Sequence, residues 1–382
     1  KGLNLSHLAN ALKQNVQEAA ILIYLIKPSP TEIKSLELLP ALVDVVASTS
    51  SSCSSSSCYT FRPSPPLLTP PAASLMIIEV LITAFDHATN KTHLAAISTP
   101  SVLCGLLDVA KSGNSGEFIS LASILVKCMH FDGMNRKYIC QHTRVAPFAH
   151  LLLSQNREDM FIALQFLHEV LKIPRSSAIK ILQQIKREGS FDIKDTLLQC
   201  IKQLQGDYRL FAADILLQLN ALDSLPESKK FRNEATRALL DAVIYSEDSK
   251  MQLLSTFILS NIGGTYSWTG EPYSAAWLMK RGGLNSISHM NMIRNISWSD
   301  ECLQDPGIDG WCCKIARRVI ETGKATFCGL QEGLKSKNKS VSKACLVAIA
   351  WLSIEISKGP NSLKYSACEV LLDEIAQFLH PG

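Results

Sequence analysis

The stretch that decides the fold is LLDAVIYSEDSKMQLLSTFILSNI, residues 239–262. It contains an apolar segment, the polar break YSEDSK and a second apolar segment. In both apolar segments the hydrophobic residues recur with the period of an amphipathic helix and not with the alternation of a strand. The stretch therefore predicts two helices joined by a short turn.

The same order of helix, polar break and helix recurs along the chain. Further copies occupy residues 102–128, 145–171, 197–219 and 327–353, and a shorter one occupies residues 35–48. The copies that begin at Val102 and Val145 are 43 residues apart, and those that begin at Leu197 and Leu239 are 42 residues apart. Repeats of about 40–47 residues with two or three helices are typical of armadillo and HEAT proteins. Because one helical hairpin cannot bury its apolar face alone, the pattern predicts an all-α, armadillo/HEAT-like α-solenoid of stacked helical hairpins.

Local signals predict the helix boundaries within residues 145–171. Pro147 suits the first turn of one helix, where its missing N–H costs nothing, and Asn156 suits the N-cap of the next helix. The apolar stripe of that second helix consists of Ala163, Phe166, Leu167, Val170 and Leu171.

Two segments interrupt the repeats. In STSSSCSSSSC, residues 48–58, eight of eleven positions are serine, and five prolines follow between Pro63 and Pro71. Such a composition predicts a flexible loop, and we favour an inert insertion over a phosphorylated regulatory loop. The other interruption begins with GGTYSWTGEPYSAAWLMKRGG, residues 263–283. The predicted segments are 1–47 (N-terminal armadillo-like helices), 48–74 (Ser/Pro-rich flexible loop), 75–262 (armadillo-like repeats), 263–310 (aromatic and Gly-rich insertion) and 311–382 (C-terminal armadillo-like repeats).

The composition narrows the classes of function. A net charge of +4 on 382 residues is too small for a nucleic-acid-binding signal, which needs a concentrated basic face. No charged segment followed by an apolar one marks a signal peptide, and the apolar run AAILIYLI, residues 19–26, is too short to span a bilayer. We expect an intracellular protein of the cytoplasm or nucleus, with protein partners and with neither nucleic acid nor membrane as a partner.

The sequence contains no recognisable catalytic or metal-binding constellation. The twelve cysteines lie largely within helical patterns, where a reduced thiol acts as a small apolar residue. The sharpest zinc candidate, Cys128-x-His130 with Cys140-x-His142, has a spacing that points the two side chains of a helix to different faces, so core cysteines beside surface histidines are favoured. No phosphate-binding glycine loop, nucleophile elbow or H-E-x-x-H motif occurs. We expect no catalytic residue, no metal and no cofactor.

Three segments resemble a known family of proteins. They are SNIGGTYSWTGEPYSAAWLMKRGGL (260–284), DGWCCKIARRVI (309–320) and KACLVAIAWLS (343–353). Together they are similar to the armadillo region of plant LIN/CERBERUS-type U-box E3 ubiquitin ligases, a family with a role in root-nodule infection. The resemblance implies a protein-interaction solenoid that recognises a substrate or partner during protein ubiquitination.

The family's layout places a U-box before the armadillo repeats and WD40 repeats after them. This sequence shows neither pattern, so the resemblance to a RING-type/U-box transferase assigns no catalytic residue to it. A conjugating enzyme would be contacted only through a U-box outside this chain. The alternative is a non-enzymatic armadillo adaptor or scaffold.

The segment 263–283 has two interpretations. In the favoured one it is a structural joint, with Trp268, Tyr273 and Trp277 packed over the end of the preceding hairpin where glycines allow close backbone approach. In the other it is a partner-binding patch exposed on the solenoid edge, because aromatic residues and arginine dominate interface hot spots. The nearest matches to the Trp-x-x-x-Asn ladder of importin-type proteins are Phe257-x-x-x-Asn261 and Trp351-x-x-x-Glu355. One partial match and one substitution do not make a ladder, so we do not expect binding of nuclear signal peptides. The candidate partner-binding residues are Asn261, Tyr266, Trp268, Lys280 and Arg281.

Overall fold

The computed structural model describes residues 4–48, 68–112, 115–187, 192–223, 229–284, 286, 289, 296 and 299–379. Within these ranges the chain is helical and contains no strand; the isolated bridge between Tyr266 and Pro272 is the only β-type pairing there. The predicted all-α fold is confirmed. The chain divides into two compact units, Lys1–Phe166 and Leu167–Gly382.

The first unit is a stack of short helices around α5 and α8. Its helices are α1 Leu5–Lys13, α2 Ala19–Ile26, α3 Pro30–Ser35, α4 Leu39–Ser48, α5 Pro70–Thr83, α6 His87–Ile97, α7 Pro100–Ser112, α8 Ser115–Phe131, α9 Gly133–His142 and α10 Ala146–His150, followed by most of α11 Arg157–Val170. Helix α5 packs against α2, α4 and α8, and its side chains Leu75 and Ile78 are completely buried. The core of this unit therefore runs along α5.

The second unit contains longer helices in regular hairpins. After the end of α11 come α12 Arg175–Arg187, α13 Ile193–Gln203, α14 Asp207–Ala221, α15 Lys229–Tyr245, α16 Ser249–Asn261, α17 Ser274–Arg281, α18 Gly307–Ile320, α19 Lys324–Leu334, α20 Lys339–Ile356 and α21 Asn361–Leu379. The hairpins α13–α14, α15–α16 and α19–α20 stack so that α13, α15, α19 and α21 form one layer and α14, α16 and α20 form the other. Helix α18 packs on α12, α14 and α20.

The predicted boundaries within residues 145–171 are confirmed. Pro147 lies in the first turn of α10, and the side chain of Asn156 accepts a hydrogen bond from the backbone N–H of Glu158 at 3.0 Å, at the start of α11. All members of the predicted stripe are buried: Ala163, Phe166, Leu167, Val170 and Leu171. Local capping and apolar spacing therefore position this hairpin correctly.

The predicted bounds of the flexible loop, residues 48–74, are wrong at both ends. Ser48 is the last residue of α4, and residues 70–74 belong to α5. The side chain of Thr69 accepts a hydrogen bond from the N–H of Ala72, and Pro70 occupies the first helical position, where the fixed φ of proline favours a helix. The serine-rich residues 49–67 lie outside the described residues.

No single helix in the described ranges combines the length and apolar character that a membrane crossing needs. One bent pair, His87–Ile97 with Pro100–Ala110, meets the criterion by length and composition only, and its helices differ in direction by 78°.

Candidate functional site

The end of α16 is held by a fully buried arginine from α12. The Nε of Arg175 donates to the carbonyl of Gly264 at 2.7 Å, and one terminal nitrogen lies 3.4 Å from the carbonyls of Asn261 and Ile262. The last carbonyls of a helix lack partners within the helix and carry its negative dipole end. A guanidinium at this position therefore satisfies these carbonyls and neutralises the dipole.

Two tryptophans complete this arrangement. The indole N–H of Trp311 donates to the carbonyl of Ile262 at 2.7 Å, and that of Trp351 donates to the carbonyl of Leu259 at 3.1 Å. The Arg175 guanidinium also lies over the Trp311 ring, 4.9 Å from its centroid. Arg175, Trp311 and Trp351, which we call the joint anchors, thus bind four carbonyls between residues 259 and 264, at the end of α16 and just after it.

Glycines let the chain pass close to these anchors. A Cβ atom on Gly263 would lie 2.5 Å from the ring of Trp351, and one on Gly264 would lie 2.1 Å from the Oγ of Ser274. Both distances are too short for any larger residue to fit without movement of the backbone. The structure thus agrees with a structural joint at residues 263–274.

The charge of Arg175 is retained despite its burial. Burial lowers the pKa of its guanidinium to about 10, so it remains protonated near neutral pH. Its remaining terminal nitrogen donates to Gln218 at 3.0 Å, Gln218 donates to Asp214 at 2.9 Å, and His168 Nδ1 lies 2.9 Å from Asp214. A buried polar chain therefore runs from α11 through α14 to the joint.

Two of the candidate binding residues are buried. Tyr266 is 6% exposed and Asn261 is 5% exposed, so the exposure expected for Tyr266 on the solenoid edge is wrong. The amide of Asn261 donates back to the carbonyl of Phe257 at 2.8 Å, one turn earlier in its own helix. The backbone of Tyr266 pairs with Pro272 in the short turn after α16.

The other three candidate residues reach the surface to different degrees. Trp268 and Lys280 are half-buried, and Arg281 is exposed. Arg281 forms an ion pair with Asp309 at the start of α18 and lies over the ring of Trp277 at 5.9 Å. Their role in binding a partner stays a prediction.

A second group of residues, which the sequence analysis missed, forms a charged surface around α18. Seven cations and three carboxylates from α12 to α20 and their connections meet there. We call this group the basic strip; it consists of Lys186, Lys194, Asp223, Arg232, Lys314, Arg317, Arg318, Glu321, Glu355 and Lys358. One signal of the basic strip is visible in the sequence, namely the basic cluster CKIARR at residues 313–318.

Each carboxylate of the basic strip is held by two cations. Asp223 pairs with Lys186 at 2.7 Å and with Lys194. Burial would raise the pKa of the Asp223 carboxyl, but hydrogen bonds from both lysines outweigh burial and lower it. Glu321 pairs with Arg232 and, at 3.7 Å, with Arg318.

The third carboxylate, Glu355, is the most strongly held. Arg317 and Lys358 each approach it to 2.7 Å, and its side chain is only 4% exposed. Burial alone would raise the pKa of Glu355, but hydrogen bonds from Lys358, Arg317 and Cys313 lower it to about 2. The carboxylate is therefore fully ionised at neutral pH.

The strip flanks two shallow grooves that share Arg317 and Glu321. One groove, of about 390 Å³, is also lined by Leu222 and Lys314. The other, of about 490 Å³, is also lined by Leu363. Both grooves are therefore lined by charged residues together with apolar ones.

The chemistry of the described residues does not indicate a reaction centre. Burial raises the pKa of Cys128, Cys312 and Cys345 to about 12, so these thiols stay protonated and unreactive. The described cysteines are free thiols. No group of three or more His, Cys, Asp and Glu side chains within the described ranges could hold a metal ion. The Nδ1 of His142 lies 2.8 Å from the carbonyl oxygen of Tyr138 in its own helix.

The stacked hairpins define an armadillo-like α-solenoid, the class of protein that the repeats predict. Residues 80–382 match the family model described as "Putative E3 ubiquitin-protein ligase LIN, ARM-like domain", and residues 1–79 match the model described as "E3 ubiquitin-protein ligase LIN-like, ARM repeat". The chain belongs to this LIN ARM-like family, which confirms the resemblance found in the sequence.

Curated relatives match nearly the whole chain. It is 26% identical to "Putative E3 ubiquitin-protein ligase LIN-2" of Lotus japonicus over 98% of this chain and 25% of that protein. It is 25% identical to "Putative E3 ubiquitin-protein ligase LIN" of Medicago truncatula over 93% of this chain and 24% of that protein. The chain thus spans about a quarter of the length of the curated relatives that it matches.

Solved structures with similar helical repeats include "Designed armadillo repeat protein YIII(Dq)4CqI". That structure has 10% sequence identity and a TM-score of 0.46, with 82% of this chain and 99% of that chain covered. Another, titled "A conserved phosphorylation switch controls the interaction between cadherin and beta-catenin in vitro and in vivo", has 14% identity and a TM-score of 0.45, with 92% of this chain and 67% of that chain covered.

Proposed function

We propose that this chain is the protein-interaction solenoid of a plant E3 ubiquitin ligase, where it recognises a substrate or partner. The observation that carries the proposal is the match of the whole chain, in two consecutive segments, to the LIN armadillo-like models. Further support comes from the charged grooves around α18, because an α-solenoid that exposes such grooves is suited to binding proteins.

Ubiquitin transfer in this proposal depends on a U-box outside this chain, which would bind the conjugating enzyme. The solenoid acts in the cytoplasm or nucleus and holds the substrate near the charged conjugating enzyme. In a plant that nodulates, the substrate would act in root-nodule infection. A fluorescent fusion in root cells tests the location, and loss of infection threads in a knockout tests the role in infection.

The decisive experiment uses the full reading frame that encodes this chain. Ubiquitin-remnant mass spectrometry should show a set of modified proteins that requires residues 1–382, whereas self-modification of the ligase should persist after their deletion. The same substrates modified to the same extent without these residues would refute a recognition role.

The second candidate is a non-enzymatic adaptor that holds partners together. It is favoured by the charged grooves around α18, which suit the binding of a partner whether or not ubiquitin is transferred. Purified full-length protein that retains its partners but transfers no ubiquitin with a panel of conjugating enzymes would establish the adaptor. Transfer to a co-purifying partner would exclude it.

A further inference from the structure

The basic strip carries more positive charge than its own carboxylates neutralise. Its cations outnumber its carboxylates by seven to three. The Arg317 and Lys358 side chains are 63% and 54% exposed, and Lys314 is exposed and forms no ion pair with any described carboxylate. Glu321 is the only exposed carboxylate of the strip. The surface that faces solvent is therefore positive.

The strip also offers apolar contacts beside the charges. Leu222 lines the same groove as Lys314, and Leu363 lines the same groove as Lys358. Arg317 stands between the two grooves and lines both. A ligand that alternates negative charge with leucine-sized side chains would therefore find partners along the whole strip.

The arrangement favours carboxylates as ligands. Lys186, Arg317 and Lys358 already hold carboxylate oxygens of this chain at 2.7 Å, a distance typical of strong charge-assisted hydrogen bonds. A nucleic-acid backbone fits less well, because the exposed Glu321 interrupts the positive surface and would repel a continuous polyanion. Among the described residues that line the two grooves none is aromatic, so these residues offer bases no stacking platform.

We infer that the basic strip is the docking site for an acidic segment of a protein partner, one that is rich in Asp and Glu and carries interspersed leucine-sized residues. This inference rests on the proposed function, since it names the chemistry of the partner that the solenoid recognises. The exposed Lys314 and Arg317 bind the acidic side chains, and the grooves beside them receive the apolar ones.

The test measures the binding of a short fluorescent peptide that alternates Asp or Glu with Leu to the full 382-residue chain. A peptide of the same length with Asn and Gln in place of the acids serves as the neutral control. We expect the acidic peptide alone to bind, and its affinity to fall as salt rises, because exposed charges are screened.

Charge reversal of one lysine locates the site. Lys314→Glu should weaken binding of the acidic peptide roughly tenfold, since it replaces an attraction by a repulsion at the centre of the strip. Lys343→Glu makes the same change in net charge at an exposed position of α20 outside the strip and should weaken binding less than about twofold. Arg317→Gln should also weaken binding, and thermal melting should show that all three variants fold.

The inference would be overturned if the acidic peptide did not bind, or if Lys314→Glu and Lys343→Glu lost equal affinity for it. It would also be overturned if a phosphoserine peptide or a short RNA bound more tightly than the Asp/Glu peptide. These measurements contain no ubiquitin. If the chain bound partner proteins but not the acidic peptide, the docking site would be refuted and the recognition function would stand. If the peptide bound at Lys314 but the ligase modified the same substrates without this chain, the docking site would stand and the recognition function would be refuted.

Discussion

Arg175 holds a buried positive charge through carbonyl and amide oxygens of the second unit, not through a direct ion pair. Its hydrogen bonds to Gly264 and Gln218 measure 2.7 and 3.0 Å. Removal of one partner from a buried, charged hydrogen bond leaves the other partner without solvent or protein contacts, which costs more than the bond itself contributes. The stability of the joint therefore depends strongly on this one side chain.

Arg175→Ala should lower the free energy of unfolding by about 3 kcal/mol, measured by urea denaturation. Arg175→Lys should recover only part of this loss, because an ammonium cannot reproduce the planar fork of donors. The matched control is Arg187→Ala on the same helix, where the side chain is exposed. Equal effects of Arg175→Ala and Arg187→Ala would show that the buried hydrogen bonds contribute nothing.

Glu355 makes stability depend on pH in a defined direction. Its pKa is lowered from 4.5 to about 2 in the folded chain, so its contribution is complete above about pH 4.5 and is lost as the pH falls towards 2. Because Arg317 and Lys358 are more than half exposed, solvent screening limits the contribution to on the order of 2 kcal/mol.

Glu355→Gln should therefore lower the urea midpoint at about pH 7, and the difference from the wild-type chain should shrink steadily as the pH approaches about 3. The measurement is a series of urea titrations across that range. A difference that stays constant with pH would mean that the loss comes from packing and not from the ionised carboxylate.

At the scale of elements, the turn from α16 to α17 depends on two glycines. Gly263→Ala and Gly264→Ala would place a methyl group 2.5 Å from the Trp351 ring and 2.1 Å from Ser274. We expect each to lower the free energy of unfolding by about 1–3 kcal/mol, because overpacking forces side chains or backbone to shift.

Gly310→Ala is the control for these substitutions. Its Cβ would meet no atom within 4 Å, and Gly310 lies inside α18. Alanine in an exposed helix interior should stabilise the chain by about 0.5–1 kcal/mol. If all three alanine variants changed the urea midpoint in the same direction, close packing at the joint would not be the cause.

The same elements show what the sequence could and could not predict. The hairpin α10–α11 could be predicted because Pro147, Asn156 and the apolar stripe act locally. The start of α5 could not be predicted in this way. Pro70 and Pro71 end a serine- and proline-rich stretch, and they form the first turn of a helix because Thr69 caps it.

The site was harder to predict than the helices. The glycines of residues 263–283 indicated close backbone approach, but the role of Arg175 could not be predicted, since its partners at the joint lie 86–90 residues further along the chain. The basic strip likewise joins Lys186 to Asp223 and Arg317 to Glu355 across separations of 37 and 38 residues. Only the stacking of hairpins brings such residues together.

At the scale of the whole molecule, stacked repeats transmit a perturbation mainly to their neighbours. In the second unit, α18 packs on α12, α14 and α20, whereas α13 packs on α14 and α15, and α21 packs on α19 and α20. A defect in α18 should therefore loosen its direct neighbours more than α13 or α21.

Trp311→Ala introduces such a defect, because the side chain is only 1% exposed. Its removal should lower the free energy of unfolding by about 3–5 kcal/mol. In hydrogen–deuterium exchange, the amides of α12, α14 and α20 should lose more protection than those of α13 and α21. Trp311→Phe, which keeps most of the ring but loses the hydrogen bond to Ile262, should produce a smaller loss of about 1–2 kcal/mol in the same helices. Equal loss of protection in all helices of the second unit would show that it unfolds as one cooperative block, and that nearest-neighbour coupling does not describe it.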